Sequence, residues 1–440
     1  MAQIYKPQPR QVKAEALKQQ LVVGLDHQGR GVVRTPKGAR FVGGALPGEV
    51  ISLMPRGKYE AELIDITEAS SERVMPPCAY YASCGGCDLQ HLELHAQRRH
   101  KQQVVEQMLQ KFAQLSPEQW LEPLTDNAWN YRRRARLAVH YDRKRQQLKL
   151  GFRAAKSKQI VAINDCLTLT KSLNDLLKPL RTLLPKLSLV RQLGHVELID
   201  LNPKPIVLLR VETAPVEADT QALQLFAEQY SVAIWLATEH SVKPLNAHDA
   251  TVSYQTLGAA LHCKPNDFLQ THQQLSEKMV AQALIWLAIE PQDTILELYA
   301  GSGNFTIPMA LQGAQVTAVE GVHSMVEQLA ENAKRYAVKV NAVCANLEQP
   351  WPQQGWAGSK FDQPFTKVLL DPARAGAPHA IGEVAKRQPQ RIVYVSCAPD
   401  TLARDANVLK QNGYQLKRAQ VIDMFPQTHH IEVITLFERE

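Results

Sequence analysis

The sequence predicts a multidomain α/β protein, with an N-terminal OB-like β-barrel, a central α+β domain and a C-terminal Rossmann-like domain. Short strands separated by glycines fill residues 19–68. Three clustered cysteines and a strongly basic segment follow, and after about residue 270 apolar strands alternate with helix-length segments. A chain of 440 residues has room for about three such domains.

The composition is that of a globular protein whose positive charge is concentrated in one segment. Hydrophobic residues make up 45% and charged residues 21%, which excludes disordered and low-complexity classes. The chain has neither an apolar run long enough to span a membrane nor the apolar core of a signal peptide, so we expect a cytoplasmic protein. Residues 131–158 carry seven Arg, four Lys and one Asp, a net +10 against +7 for the whole chain. Such a concentration of charge favours a polyanion partner over a merely solvated hairpin.

The first two thirds of the chain divide by local pattern. Residues 1–18 are polar and basic, which predicts a flexible arm. Five short strands within residues 19–68 predict a small barrel of the OB type, a fold that often binds single-stranded nucleic acid. Residues 69–265 are predicted to form the central domain, with a helix over 92–115 that could pack on the catalytic domain. The rest of this domain is predicted to comprise a linker over 116–130, strands over 135–141 and 148–152, and a mixed region over 160–260.

The C-terminal domain, residues 266–440, has the clearest pattern. An amphipathic helix is predicted over 271–289. Short apolar strands then alternate with helix-length segments, and these strands are predicted at 294–298, 315–319, 340–343, 367–370 and 391–395. This alternation is typical of a doubly wound parallel sheet, which binds ligands at the carboxyl ends of its strands.

A glycine turn after the first of these strands indicates a nucleotide-type cofactor. Gly301-Ser302-Gly303 follows the strand, and Glu320 ends the next one, where it could hold ribose hydroxyls. A dinucleotide fingerprint needs a third glycine at position 306, which is Thr306. The pattern therefore favours S-adenosylmethionine, which has no pyrophosphate. The alternative is a glycine turn that only lets a helix pack on the sheet.

Two later strands end in residues that could react. Cys397 follows one apolar strand and Asp371 follows the strand before it, so both would face the ligand crevice. An ionised cysteine is a strong nucleophile, and a carboxylate there could bind a base edge or the cofactor. The alternatives are a structural buried cysteine and a helix cap. Cys263 and Cys344 have no such context and are predicted to be packing residues.

Cys78, Cys84 and Cys87 form a cluster that indicates a metal site. The chain has seven cysteines, an odd number, and is expected in the cytoplasm, so a disulfide framework is not predicted. The spacing matches neither ferredoxin signature, and thiolates in this arrangement could also hold zinc. Spacing alone therefore leaves zinc and an iron–sulfur cluster open.

Taken in order, these motifs resemble the RNA uracil-C5 methyltransferases, specifically the bacterial branch that carries an iron–sulfur cluster and acts on 23S rRNA. The resemblance covers nearly the whole chain, and residues 19–68 resemble the TRAM domain of that family. The matching motifs are Cys78-x5-Cys84-Gly85-Gly86-Cys87, Asp165-Cys166, Phe268-x-Gln270, the glycine turn, Asp371-Pro372-x-Arg374, Ser396-Cys397-x-Pro399-x-Thr401 and His429-x-x-Glu432. One departure is Ala398, which stands where the family commonly has Asn.

The resemblance implies a reaction and assigns residues to it. Cys397 would attack C6 of uracil, which makes C5 nucleophilic toward the methyl group of S-adenosylmethionine, and Glu432 would then remove the C5 proton. Uridine 1939 of 23S rRNA is the expected target, and it must leave any stacked state to reach Cys397. Five residues would line the cofactor, with Asp371 between cofactor and base: Gln270, Tyr299, Asn304, Glu320 and Asn346.

The resemblance also assigns the cysteines and the basic segment. Cys166 would join Cys78, Cys84 and Cys87 as the fourth ligand of a [4Fe–4S] cluster. The basic segment would hold flanking RNA through Arg132, Arg133, Arg134 and Arg136. We expect a monomer that does not bind membranes. A tRNA uracil-C5 methyltransferase and a non-catalytic RNA-binding assembly factor remain the alternatives.

Overall fold

The computed structural model describes residues 15–351 and 365–439. Most of the predicted basic arm, residues 1–14, lies outside this part of the chain. The first strand begins at Leu17, inside the segment predicted as the arm, because Leu17 pairs with Leu53 of the fourth strand. None of the described helices is long and apolar enough to cross a bilayer.

The N-terminal strands close into a five-stranded barrel in the order β1-β2-β3-β5-β4. Alternate residues point inward, so Val22, Val33 and Ile51 are buried in a core of the barrel's own. The strands are β1 Leu17–Leu25, β2 Gly31–Thr35, β3 Gly38–Val42, β4 Val50–Arg56 and β5 Glu60–Glu68.

Helix α1, Leu94–Ala113, precedes the central domain in sequence but packs on the catalytic one. Its buried face, Val104, Val105 and Leu109, belongs to the same core as the last helix of the chain. The segment predicted as a linker over 116–130 contributes a short strand, β6 Gln119–Trp120, to the edge of the catalytic sheet. Both elements are therefore structural parts of the catalytic domain.

The central domain is built on a seven-stranded mixed sheet in the order β13-β12-β11-β10-β7-β8-β9. The strands are β7 Arg134–Asp142, β8 Gln147–Arg153, β9 Ile160–Ala162, β10 His195–Ile199, β11 Ile206–Arg210, β12 Ala233–Ala237 and β13 Val242–Pro244. The helices are α2 Lys171–Asn174, α3 Leu177–Leu183 and α4 Glu217–Tyr230, with 3-10 turns at Leu184–Lys186, Ser188–Gln192 and Ala247–Asp249. A hairpin, β14 Val252–Thr256 and β15 Ala259–Cys263, packs between this sheet and the catalytic domain.

The catalytic domain holds an eight-stranded sheet in the order β18-β17-β16-β19-β20-β22-β21-β6. Its strands are β16 Thr294–Leu298, β17 Gln315–Glu320, β18 Val340–Cys344, β19 Lys367–Leu370, β20 Arg391–Ser396, β21 Tyr414–Ile422 and β22 Glu432–Arg439. Its helices are α5 Gln273–Leu287, α6 Thr306–Leu311, α7 His323–Arg335, α8 Ile381–Lys386 and α9 Pro399–Gln411. Strands β16 to β20 run parallel, whereas β22 runs antiparallel to both β20 and β21.

The two cysteines predicted to be packing residues differ. Cys263 is buried in the core between the two larger domains, as predicted. Cys344 is exposed, and the prediction was wrong for it. It ends β18, which is the edge strand of the catalytic sheet among the described residues.

Candidate active site

The predicted reactive residues meet at one edge of the catalytic sheet. Cys397 directly follows β20 and Asp371 directly follows β19, so both lie at the carboxyl ends of neighbouring parallel strands. Glu432 begins β22, which runs the opposite way, and its start therefore reaches the same edge. Ser396 pairs with Val433 in this antiparallel register, so Cys397 and Glu432 are the next two residues opposite each other.

Burial and mutual charge set the protonation of this group. Burial raises the pKa of the Cys397 thiol to about 11, the carboxylates of Glu432 and Asp371 add to this rise, and the Arg374 guanidinium opposes it. Burial raises the pKa of Asp371 to about 7. Burial and the nearby Asp371 raise the pKa of Glu432 well above its usual value. A carboxylate that binds a proton this readily is suited to remove one from carbon.

The turn after Cys397 is ordered by its neighbours. Ser396 Oγ accepts a hydrogen bond from the Ala398 N–H at 3.1 Å and lies 3.1 Å from the Ala398 carbonyl oxygen, to which it donates. Ala398 precedes α9 and has no side chain that could cap the helix. Thr401 donates to the carbonyl of Arg374 at 3.1 Å, which fastens the loop after Asp371 to the first turn of α9. The departure from the family pattern at position 398 therefore leaves the loop held by other hydrogen bonds.

A cleft beside this group has the properties of a ligand site. Its lining includes Tyr254, Phe268, Gln270, Tyr299, Gly301, Asn304, Met325 and Asp371. Both polar atoms of the Asn304 amide and the Tyr299 hydroxyl are buried without a partner among the described residues. Buried polar groups are nearly always hydrogen-bonded in proteins, so these atoms fit a polar ligand in the cleft.

Glu320 holds the glycine turn in place. One carboxylate oxygen accepts from the Gly301 N–H at 3.0 Å and the other accepts from the Val322 N–H at 2.9 Å. Gly301 and Gly303 have φ of +59° and +105°, conformations that favour glycine. Glu320 thus contacts the backbone of the turn and does not line the cleft.

The other predicted cofactor residues are placed differently. The Gln270 amide donates to Asp371 Oδ2 at 3.3 Å, which joins the two residues at the cleft. Asn346 is exposed, its Oδ1 accepts from the Glu348 N–H at 2.9 Å, and it is also absent from the cleft lining. The structure thus brings Gln270, Tyr299, Asn304 and Asp371 together at the cleft. Asn346 is exposed just after β18 and lies outside the cleft lining.

The four predicted RNA-binding arginines do not share one surface. Arg133 is 3% exposed, its Nε donates to the Gln270 carbonyl at 2.7 Å, and it lies over the Tyr254 ring. Arg133 therefore does not lie on an open surface that RNA could reach. Its side chain, just before β7, is buried in the contact between the central and catalytic domains. Arg132 is half-buried, and Arg134 is held by the Asp267 carbonyl and by Glu197. Only Arg136 is exposed.

Several residues of the site were missed by sequence reasoning. Phe268 is 69% exposed and lines the cleft. The sequence held a signal for it, because Phe268 stands two residues before Gln270 in a matched motif. Arg374 also stood in a matched motif, and its effect on the Cys397 pKa gives it a role. Tyr254 had no signal, because the hairpin that carries it is remote in sequence from every motif.

The four clustered cysteines lie near one another. Burial is the largest cause that raises the pKa of the Cys84 thiol, and the Cys166 and Cys78 thiols raise it further. Burial likewise raises the pKa of the Cys87 thiol, and the Cys166 and Cys84 thiols add to that rise. Within residues 15–351 and 365–439 no three His, Cys, Asp or Glu side chains are close enough to hold a single metal ion. The four cysteines nevertheless share one region of the fold.

Comparison with known proteins agrees with this arrangement. The family model described as tRNA (Uracil-5-)-methyltransferase matches residues 93–348 and 354–440. The 23S rRNA (uracil(1939)-C(5))-methyltransferase RlmD of Shewanella piezotolerans is 41% identical over 447 residues, which cover 100% of this chain and 99% of that protein. The protein of the same name from Vibrio cholerae is 41% identical and covers 100% of both chains.

A solved structure shares the fold. The tRNA (uracil-54, C5)-methyltransferase of Pyrococcus abyssi, in complex with S-adenosyl-L-homocysteine, superimposes with a TM-score of 0.71 at 22% identity. The match covers 95% of this chain and 100% of that chain. The ordered motifs, the grouped reactive residues and these matches lead to one conclusion: the chain belongs to the family of RNA uracil-C5 methyltransferases.

Proposed function

We propose that this protein methylates C5 of a uridine in 23S rRNA, at the position equivalent to uridine 1939, with S-adenosylmethionine as methyl donor. The grouping of Cys397, Glu432 and Asp371 beside the cleft is the observation that carries the proposal. The substrate rests on the relatives, since proteins with that printed activity are about 41% identical over the full chain.

The residues at the sheet edge account for each step on the uracil ring. The Cys397 thiolate forms a bond from Sγ to C6, and the electron pair moves to C5 and O4. C5 would take the methyl group that S-adenosylmethionine supplies, and the S–CH3 bond would break to leave S-adenosylhomocysteine. Glu432 then accepts the C5 proton, the C5–C6 double bond reforms, and the Sγ–C6 bond breaks to return the thiolate. Asp371 lies where it can bind the uracil edge or the methyl donor.

We propose that the cleft holds S-adenosylmethionine through Gln270, Tyr299, Asn304 and Asp371, with Glu320 and Asn346 toward its ribose and adenine side. The unpaired atoms of Asn304 and Tyr299 support this assignment, since a ligand would supply their missing hydrogen bonds.

Replacement of Asn304 by alanine is expected to weaken S-adenosylhomocysteine binding about tenfold or more. The ligand would lose partners inside a buried cleft, where a hydrogen bond contributes on the order of 1–3 kcal/mol. Isothermal titration calorimetry measures the change. Asn341→Ala, on the exposed face of β18, is the matched control and should bind like the unchanged protein. Equal affinities of Asn304→Ala and the control would contradict the assignment.

We propose that RNA flanking the target lies across the β7–β8 hairpin, near the barrel. Exposed cations cover this region. Lys156, in the turn after β8, forms an ion pair with Glu60 of β5 at 2.6 Å, which connects this turn to the barrel. Arg136 belongs to this region, together with Arg143, Lys144, Arg145, Lys149, Arg153 and Lys158. The described position of Arg133 gives it a different role, as a support for Gln270.

Neutralising the hairpin tip should reduce the salt dependence of RNA binding. In the triple variant Arg143→Gln, Lys144→Gln, Arg145→Gln, fewer counter-ions are released, and the slope of log K against log salt should fall by about 0.7–0.9 for each phosphate that the protein no longer neutralises. Filter binding of a 23S rRNA fragment at several salt concentrations gives the slope. The double variant Lys334→Gln, Arg335→Gln on α7 should leave it unchanged. A hairpin variant with the original slope would exclude an interaction with phosphate here.

We propose that Cys78, Cys84, Cys87 and Cys166 hold a [4Fe–4S] cluster. Four thiols are a donor set that suits either such a cluster or zinc. The resemblance of the cysteine motif, with Cys166 as its fourth member, to the iron–sulfur branch of the family favours the cluster. When bound, the cluster would fasten residues 78–87 to the loop that carries Cys166.

Anaerobic purification tests the cluster. The protein is expected to be brown, with about four iron and four sulfide per chain, and the variant Cys166→Ser should lose most of both. Cys344→Ser is the matched control, because Cys344 is exposed at the end of the edge strand β18, and this variant should keep its colour. A colourless protein that carries one zinc per chain would overturn the proposal.

Mapping of the transferred methyl group tests the function as a whole. The protein is incubated with labelled S-adenosylmethionine and with unmodified 23S rRNA or tRNA, and the product is located by mass spectrometry. A single 5-methyluridine in 23S rRNA is the expected result. Label in tRNA alone would show that tRNA is the substrate and would leave the proposed chemistry unchanged. No label in either RNA would favour a non-catalytic assembly factor.

A further inference from the structure

The loop that leads into Glu432 is held by parts of the chain far away in sequence. Residues 423–431 connect β21 to β22, and Glu432, the first residue of β22, is 4% exposed. Gln427 in this loop has φ of +69°, a conformation that non-glycine residues rarely adopt. The loop conformation therefore depends on its external partners.

Helix α1 supplies the first set of partners. The Lys101 ammonium donates to Asp423 Oδ1 at 2.8 Å, and both side chains are fully buried. Arg98 donates to the other oxygen of Asp423 at 2.9 Å. The Gln97 amide exchanges hydrogen bonds with Gln427, accepting from its N–H at 3.0 Å and donating to its Oε1 at 3.1 Å. These contacts fix the beginning and the middle of the loop.

The segment that follows Cys87 supplies the second set. The backbone N–H groups of Asp88 and Leu89 both donate to the Gln427 carbonyl, at 3.1 and 3.0 Å. The Asp88 carboxylate accepts from the His429 N–H at 2.9 Å and contacts His429 Nδ1 at 2.5 Å. Asp88 therefore meets the loop three residues before Glu432, and one residue after a proposed cluster ligand.

We propose that Asp88 is a positioning residue, which holds residues 427–431 so that Glu432 is aimed at C5 of the uracil. The segment that carries Cys78, Cys84 and Cys87 would thus align the catalytic base through Asp88. A change in the order of this segment would then change the rate at which Glu432 removes the C5 proton. This inference rests on the proposed methylation chemistry. It concerns only the second half of the reaction, because Cys397 lies between β20 and α9, in a turn that other contacts hold.

The Asp88–His429 interaction can be removed without unfolding the protein. The side chains of Asp88 and His429 are 45% and 30% exposed, and ion pairs of this exposure contribute little to global stability. Its removal should instead loosen residues 427–431, whereas the buried Lys101–Asp423 pair keeps the loop attached to α1.

Single-turnover kinetics of Asp88→Ala test the proposal. Labelled S-adenosylmethionine and a 23S rRNA fragment are mixed with the variant, and the covalent protein–RNA adduct is followed on denaturing gels. We expect adduct formation within about twofold of the unchanged protein and release slowed about tenfold, so that the adduct accumulates. Hydrogen exchange should become faster in residues 423–431 and stay unchanged in α8.

Two further variants separate positioning from a structural effect. Asp88→Asn keeps an oxygen that can accept from the His429 N–H and should restore most of the release rate. His429→Ala, far from the cysteines in sequence, removes the Nδ1 contact and keeps the N–H that donates to Asp88. It should therefore slow release by less than Asp88→Ala does, while the iron content remains unchanged. Equal slowing of formation and release, or unchanged release, would overturn the proposal. Failure of the unchanged protein to form any adduct or product would instead contradict the proposed function.

Discussion

Replacement of Cys397 by serine is expected to abolish methyl transfer to RNA, with a loss on the order of 10⁴-fold or more. The hydroxyl of serine is a far weaker nucleophile than a thiolate, and it ionises far less readily than a thiol. Without the bond to C6, C5 cannot attack the methyl donor. Initial rates with labelled S-adenosylmethionine and unmodified 23S rRNA measure the loss.

Controls for this variant distinguish chemistry from binding. Affinity for S-adenosylhomocysteine should be unchanged in Cys397→Ser, because Cys397 is not part of the cleft lining. Cys344→Ser removes an exposed cysteine from the edge of the same sheet and should retain full activity. Residual turnover above about 1% in Cys397→Ser would argue that another group forms the covalent bond.

Replacement of Glu432 by glutamine is expected to stop the reaction after methyl transfer. The amide has nearly the same shape but cannot accept the C5 proton, and loss of a general base typically costs about 10²–10⁴-fold. The methylated RNA should therefore remain bonded to Cys397, which is detected as a labelled band that survives denaturation. Glu438→Gln, on the same strand but paired with Arg391, should turn over normally. Free methylated RNA released at the normal rate would assign the base to another residue.

The same substitution should also stabilise the protein at high pH. The pKa of Glu432 is raised in the folded state, so above its unfolded pKa the unfolded chain ionises more readily and the folded state becomes relatively less stable. This loss grows as the pH rises through the folded pKa, and glutamine removes it. The Tm of Glu432→Gln should exceed that of the unchanged protein by about 2 °C or more at pH 8 and match it near pH 4. A constant difference at all pH values would contradict this origin.

Local patterns were sufficient for the elements of the catalytic domain. The predicted strands at 294–298 and 367–370 are those observed, because a short apolar run between helices can only be buried in a parallel sheet. The helix predicted over 271–289 runs from Gln273 to Leu287, since His272 caps its start and Ala288 ends it in a left-handed conformation. Cys397 and Asp371 were placed correctly at one edge by the same logic.

Long-range contacts could not be read in this way. The segment 116–130 looks like a linker, yet two of its residues extend the catalytic sheet at β6. Arg132, Arg133, Arg134 and Arg136 share one run of sequence, but alternation along a strand and packing between domains give them different exposures. Glu432 was recognised only through a matched motif, because an isolated acid at the start of an antiparallel strand has no local signature.

The sequence by itself determined the class of reaction and the order of the motifs, and it predicted which residues react, because motifs at strand ends carry chemistry wherever the strands pair. It also determined where positive charge is concentrated. The tertiary structure alone decided which arginines face outward, which side chains line the cleft, and that Asp88 meets the loop before Glu432. These depend on packing between segments hundreds of residues apart, and the free energy of that packing comes from burial and hydrogen bonds that no local pattern specifies.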